Sequence, residues 1–435
     1  MLSAQLEESI SNRVGDSVLA SNRKKKDLFG FLFAISFILN GYASGIPGIS
    51  LGSLAFVCLI AWAFLSKSKT KKDSLTAPFL KFVVLFLIIS LFSFIFAEYK
   101  SFSGLFTGLL KILTWFFMIT TVSNNFYSSK QMTKWFTRIG IILTIYLFIQ
   151  TFFFYVFHIY LPNIFNFGFL KPYDEEYANY GVLGSGSIVR AASFFSESSF
   201  YGNYMLCSLL LFLGQNYKKM TKKNWFIVLF ISAGIIVSTS TAAIIFLVII
   251  WLFYIWKIKV KKFFLFSFLI IVALIAVPIF LSGTLDFDNG FMSSLKYAFD
   301  KFDYIDNSSR FGKSFAYLSL LNQKQFLFGI GLGNDLFFIN SNVFGVDSVY
   351  INAVTSVIFQ AGIIGMSLFT LLIIINIFKS IKYRDLVSFL LFGIYFVKGF
   401  ESTVFFSTYG ILFLFIAMGR LYEKKNSLFY KGAYL

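Results

Sequence analysis

The sequence predicts an all-α, polytopic integral membrane protein with about twelve transmembrane helices and two long external loops. Three observations predict it. The 435 residues are 57% hydrophobic and only 13% charged, with a mean hydropathy of +0.76. Apolar runs recur near the ~20 residues that a spanning helix needs, while the ~10-residue alternation of a transmembrane barrel is missing. The basic residues sit in short clusters between those runs. Of the 38 Lys and Arg, 28 fall on one side, nine on the other, and Lys111 inside a run. This positive-inside asymmetry places both termini in the cytoplasm. It also accounts for the net charge of +18 without nucleic acid.

In chain order, residues 1–27 form a polar cytoplasmic tail. Its basic end, Arg23 to Lys26, leads into a retained first span, so no cleavable signal is expected. Residues 28–420 read as a single transmembrane domain. Spans are expected at 28–43, 51–65, 78–97, 104–122 and 136–158. A first external loop covers 159–195, and the next span is 198–215. The apolar run 225–256 is too long for one span and divides at Ser238-Thr239-Ser240-Thr241. A further span is expected at 263–282. The second external loop, 283–347, is the most polar part of the chain, with an amphipathic helix expected around 308–322. Spans at 349–378, at 386–400 and up to Met418 complete the domain, and 421–435 is a cytoplasmic tail. The 62 phenylalanines read as lipid-facing filler. Cys58 and Cys207 both lie in apolar runs, which argues for neither disulfide nor zinc.

Candidate chemistry concentrates where the loops meet the spans. Arg190 and Glu197 lie seven residues apart, just before the span at 198–215. A carboxylate so close to hydrocarbon needs a partner or a task. Arg310 sits in the second loop. An arginine pair beside lipid suits an anionic headgroup such as a lipid diphosphate, because the planar guanidinium grips phosphate bidentately. Glu197 suits a general base. The structural alternative is an Arg190–Glu197 ion pair capping the span. His158 reads as an interfacial residue, and Lys111 as one that snorkels or lines a polar cavity. The run GIGLGN (329–334) lacks a third glycine at the position a dinucleotide fingerprint requires, and it lacks the strand context. It reads as a tight turn in which glycine allows positive φ or close backbone approach.

Four stretches together resemble one family. Arg190-Ala-Ala-Ser-Phe-Phe-Ser-Glu197-Ser-Ser resembles the R-x-S-x-F-F-x-E-P-S signature of bacterial oligosaccharide repeat-unit polymerases, members of the O-antigen polymerase/ligase superfamily. Ser238-Thr-Ser-Thr-Ala-Ala resembles its S-x-S-R-(T/G)-A element. Arg310 followed by LFGIGLGN (327–334) resembles its loop arginine and P-L-F-G-x-G-x-G turn. Asp347-Ser-Val-Tyr-Ile, then Gln360-Ala-Gly-Ile-Ile-Gly, resembles H-N-x-Y-L and E-x-G-x-x-G. The order matches over about 185–370. There are departures. Ser198 or Ser199 stands for proline, Thr241 for arginine, Asp347 for the ligases' histidine and Gln360 for glutamate.

The resemblance implies a glycosyltransferase that needs neither metal nor cofactor, working at the external face of the plasma membrane. Its donor would be a growing glycan on undecaprenyl diphosphate, and its acceptor another lipid-linked repeat unit. The products would be O-antigen, capsule or exopolysaccharide. Arg190 and Arg310 would hold the diphosphate, and Glu197 would orient or deprotonate the acceptor hydroxyl. Asp347 would be a further catalytic candidate, and Ser196, Lys313, Tyr350 and Glu401 substrate-binding candidates. A chain-length regulator is an implied partner, besides the bilayer itself. The missing histidine favours a polymerase over a ligase. A ligase-type glycan transferase remains the alternative, and a lipid-linked oligosaccharide flippase stands behind it, since no internal repeat is visible.

Overall fold

A computed structural model describes residues 24–45, 49–66, 73–166, 171–173, 182–183, 188–218, 220–258, 310–343 and 350–432. They form a helical bundle. Helix α1 spans 24–36 and ends in a 3₁₀ turn, Leu39–Gly41. It is followed by α2 (Leu51–Leu65), α3 (Ala77–Phe96), α4 (Phe102–Phe126) and α5 (Ser129–Phe157). A ladder of two-residue strands, β1 (Val182–Leu183) and β2 (Ile188–Val189), leads into α6 (Ser198–Asn216). Then come α7 (Lys222–Val237) and α8 (Thr241–Ile258). Short helices α9 (Arg310–Ala316), α10 (Gln323–Phe328) and α11 (Asp335–Asn342) precede α12 (Ala353–Lys382), α13 (Leu386–Glu401) and α14 (Thr408–Gly432).

Among the described residues, four helices, α3, α4, α5 and α12, are long and apolar enough to cross a membrane. Only a third to a half of their apolar windows is buried within the protein. The remainder is uncovered Leu, Ile, Val and Phe, such as Leu80, Ile88, Phe92, Ile142, Phe152 and Leu371. Water tolerates no such continuous apolar surface, and hydrocarbon does. Lys111 lies on the exposed side of α4, and His158 is exposed as the left-handed cap that ends α5.

The chain interrupts its helices for identifiable reasons. Between α7 and α8 the predicted division at Ser238–Thr241 is present, with Thr239 at φ 52. Ser50, Ser101, Thr221 and Asn352 each cap a helix by accepting a backbone N–H from the first turn. Helix α4 carries a π-bulge at Met118–Val122. Helix α12 is broken internally at Gly362, φ 66. A Cβ there would sit 2.0 Å from the Leu327 carbonyl, so only glycine admits the approach.

Three expectations change. Residues 24–27 and 421–432, placed in tails, belong to α1 and α14, where Leu421 and Tyr422 are buried. The amphipathic helix expected at 308–322 is α9 plus a 3₁₀ turn, and α10 and α11 follow within the same loop. Many phenylalanines are core rather than lipid-facing. Phe33 packs on Phe415 with centroids 4.2 Å apart, and Phe369 on Phe405 at 4.3 Å. Burying large rings between facing helices adds dispersion and quadrupole contacts that hydrocarbon alone does not select against. The span expected at 263–282 lies outside the described residues.

At the centre runs α6, buried from Tyr201 through Leu213. Helices α5, α7, α8, α13 and α14 pack around it and enclose it. The bundle end at which α6 begins also carries the start of α8, α12 and α14 and the finish of α13. The opposite end is closed by ion pairs. Asp27 binds Lys134 at 2.8 Å, Asp73 binds Lys425, and Asp385 binds Arg420 through both guanidinium nitrogens facing it, at 2.8 to 3.2 Å. The Lys134 hydrogen bond holds the Asp27 carboxyl below its ordinary range. Burial alone would raise Asp385, but the charge and hydrogen bonds of Arg420, with the Ser388 hydroxyl, outweigh it and keep the carboxyl low. Burial would raise Asp73 too, but Lys425, the Leu75 N–H and the Ser74 hydroxyl together keep it low.

Candidate functional site

The segment Arg190–Glu197 is fixed to α5 before it enters α6. Ser193, at φ 55, donates its backbone N–H to Gln150 Oε1 at 2.9 Å and its hydroxyl to the Leu143 carbonyl at 2.8 Å. Gln150 also reaches Asn163 at 3.0 Å. The two phenylalanines that follow diverge. Phe194 stacks on Tyr146 at 4.3 Å with the planes 7° apart, while Phe195 turns inward against Tyr204 at 5.6 Å. This explains the S-F-F run physically: one hydroxyl to set a left-handed residue, then one ring for each side of the link.

Glu197 is the N-cap residue of α6, in extended conformation at φ −136. Its side chain makes no capping bond to the helix backbone. Instead its Oε2 accepts the Ser199 hydroxyl at 3.0 Å. The carboxylate is half-buried at the positive end of the central helix. It also lies within electrostatic range of the Tyr409 hydroxyl, which neighbours Asn40. Phe200 stacks on Tyr409 at 4.3 Å. Asn40 in turn accepts from Ser50 at 2.5 Å. Arg190 follows β2 directly and is half-buried, and Ser196 is half-buried beside Glu197.

A second group lies at the same bundle end. Helix α9 opens on Arg310, and its Ser314 accepts the Asn352 backbone N–H at 2.7 Å. Ala353 donates to the Ser402 carbonyl at 3.0 Å, and the Tyr350 hydroxyl donates to the Glu401 carbonyl at 2.8 Å. The loop arginine's helix, Tyr350 and Glu401 are thereby joined. Glu401 pairs with Lys398 at 3.4 Å. Residues 402–407, between α13 and α14, connect this group to Tyr409 and so to Glu197. The side chains of Arg310 and Lys313, and all of Asp347, lie outside the described residues.

The glycine turn has a different task. Gly329, Gly331 and Gly333 all have positive φ. A Cβ on Gly331 would meet the Phe94 Cα at 2.5 Å, and one on Gly333 the Gly104 carbonyl at 2.0 Å. The turn wedges between α3, α4 and the break in α12. Ser93 donates to the Phe328 carbonyl at 2.6 Å, and Ser101 N–H to Asn334 at 2.8 Å. Gln360 serves this scaffold too, donating to Asp335 at 3.2 Å and Ser356 at 2.9 Å.

Sequence reasoning missed Lys398, Asn40, Gln150 and Tyr409. Only Lys398 left a signal, as a lone lysine at the end of an apolar run. Among the described residues no cluster of His, Cys, Asp and Glu is suited to a metal, and both cysteines are free. No protein-family model matches this chain, and no curated protein sequence matches it significantly.

Proposed function

We propose that this chain is a membrane glycosyltransferase of the repeat-unit polymerase type, using undecaprenyl-diphosphate-linked oligosaccharides as donor and acceptor. One observation carries the reading. A carboxylate, Glu197, stands at the head of the central buried helix, seven residues from Arg190, at the same bundle end as the helix that opens on Arg310. The eleven helices α1–α8 and α12–α14, with the run at 263–282, would make about twelve spans in the plasma membrane. Both termini would then be cytoplasmic, with the α6 head facing outward.

In the proposed reaction the acceptor hydroxyl oxygen attacks the anomeric carbon of the donor glycan. The bond from that carbon to the diphosphate oxygen breaks, and its electron pair leaves with undecaprenyl diphosphate. Glu197 takes the hydroxyl proton. Arg190 and Arg310 stabilise the charge developing on the leaving group. No nucleotide sugar is consumed, which suits a chain whose polar residues gather in loops rather than in a separate domain.

The test incubates the purified protein, in lipid, with lipid-diphosphate-linked repeat units and separates products by size. A ladder that disappears in Arg190→Ala supports the polymerase. Transfer to another acceptor without lengthening would make it a ligase, and movement across the bilayer without any transfer a flippase.

A further inference from the structure

Lys398 lies three residues before the end of α13, and its side chain is 1% exposed. An ammonium carries three N–H donors and no acceptor. Among the described residues, the one hydrogen-bond acceptor it reaches is Glu401 Oε2, at 3.4 Å. That partner is itself 52% exposed. The other neighbour is the Phe246 ring of α8, with the ammonium 5.9 Å from its centroid. A buried cation is ordinarily surrounded by acceptors, because each unmet donor in a low dielectric is costly. Here, among the described residues, the ammonium has one long contact to a half-exposed carboxylate and a ring face.

Position matters as much as burial. Phe246 lies just beyond Ala243, and Ala243 packs against Gly202 of α6, near Ser240. Lys398 thus lies within about two turns of the head of α6. Glu401 sits on the mouth side of it, tied to Tyr350 through its own backbone carbonyl. The carboxylate can swing outward without disturbing that tie, because the tie is to main chain.

We infer that Lys398 is a third phosphate-binding cation of this site, and that Glu401 is its displaceable counter-ion. In the empty site Glu401 neutralises the ammonium. An entering diphosphate replaces the carboxylate, offers several oxygens to the free donors, and sends Glu401 into water. The inference rests on the lipid-diphosphate reading above and adds a residue and an exchange to it. It also revises Glu401, from a group that holds substrate to one that makes way for it.

The experiment measures binding of sugar-free undecaprenyl diphosphate, against undecaprenol as the uncharged control, to protein in lipid nanodiscs. Wild type, Lys398→Met, Lys398→Arg, Glu401→Gln and Arg190→Ala are compared, each first shown monodisperse by size exclusion. Lys398→Met should weaken binding roughly tenfold to a hundredfold, the size of a charge-assisted hydrogen bond, and Lys398→Arg should restore most of it. Glu401→Gln should tighten binding about threefold, because a half-exposed competing anion is gone. Glu401 is exposed enough for that variant to fold even if Lys398→Met does not. If wild type binds, Arg190→Ala weakens binding and Glu401→Gln leaves it unchanged or weaker, the exchange is refuted while the lipid-diphosphate reading stands. If wild type does not prefer undecaprenyl diphosphate to undecaprenol, that reading and this inference fall together.

Discussion

Replacing Asp385 by Asn should remove more stability than any other single carboxylate change at the ion-paired end of the bundle. Asp385 and Arg420 are 3% and 7% exposed, and three N···O distances between them lie at 2.8 to 3.2 Å. Deleting one charge leaves the guanidinium buried and uncompensated, at a cost of about 3–5 kcal/mol. Asparagine keeps the capping oxygen for the Ser388 N–H, so the loss of about 1 kcal/mol from an uncapped α13 is not added. Asp27→Asn is the control. Its pair with Lys134 is also a carboxylate with a cation but is 32% and 35% exposed, so solvent screening limits the loss to about 1 kcal/mol or less. Thermal or denaturant unfolding of the detergent-solubilised protein, followed by tryptophan fluorescence, compares the two. The pH dependence has a definite sign. The Asp385 carboxyl is held below its ordinary value of 3.8, so its contribution is present above pH 3.8 and is lost as pH falls through the lower folded value. Equal losses for Asp385→Asn and Asp27→Asn would refute the argument from burial, as would a wild-type acid transition unchanged in Asp385→Asn.

Four further outcomes follow from the same reasoning. Glu197→Gln should lose most of the polymerisation rate while lipid-diphosphate binding persists; full activity would leave Glu197 a structural cap. Gln150→Leu strips the acceptor from the buried Ser193 N–H and should cost about 1–3 kcal/mol, read by unfolding. Gly331→Ala should fail to accumulate in the membrane, since its Cβ would press on the Phe94 backbone at positive φ. Gly393→Ala, with nothing within 4 Å of the added carbon, should instead stabilise α13 by up to about 1 kcal/mol.

The two glycine changes show how far sequence reasoning reaches. GIGLGN is legible as a turn because three glycines so close together serve no helix. What they press against is not legible, because Phe94 and Gly104 lie more than 200 positions away. The same division runs through the candidate site. Arg190 and Glu197 stand out as charges at the edge of an apolar run, where a charge is costly and therefore informative. Asn40 and Tyr409 do not, since a polar residue near a helix end is ordinary in any chain.

By itself the sequence determined that this is a helical protein with apolar helices fit for a bilayer, because bilayer thickness acts on each stretch of chain separately. It also determined where helices break, as at Ser238–Thr241, and which charges are worth watching. Only the tertiary structure decided that α6 is the central helix, that phenylalanines fill the core, and that Lys398 is buried beside an exposed Glu401. In hydrocarbon the outward and inward faces of a helix are equally apolar, so the hydrophobic pattern that marks a buried face in water carries no signal here. Which face meets protein is set by contacts between distant helices, and those exist only once the bundle is assembled.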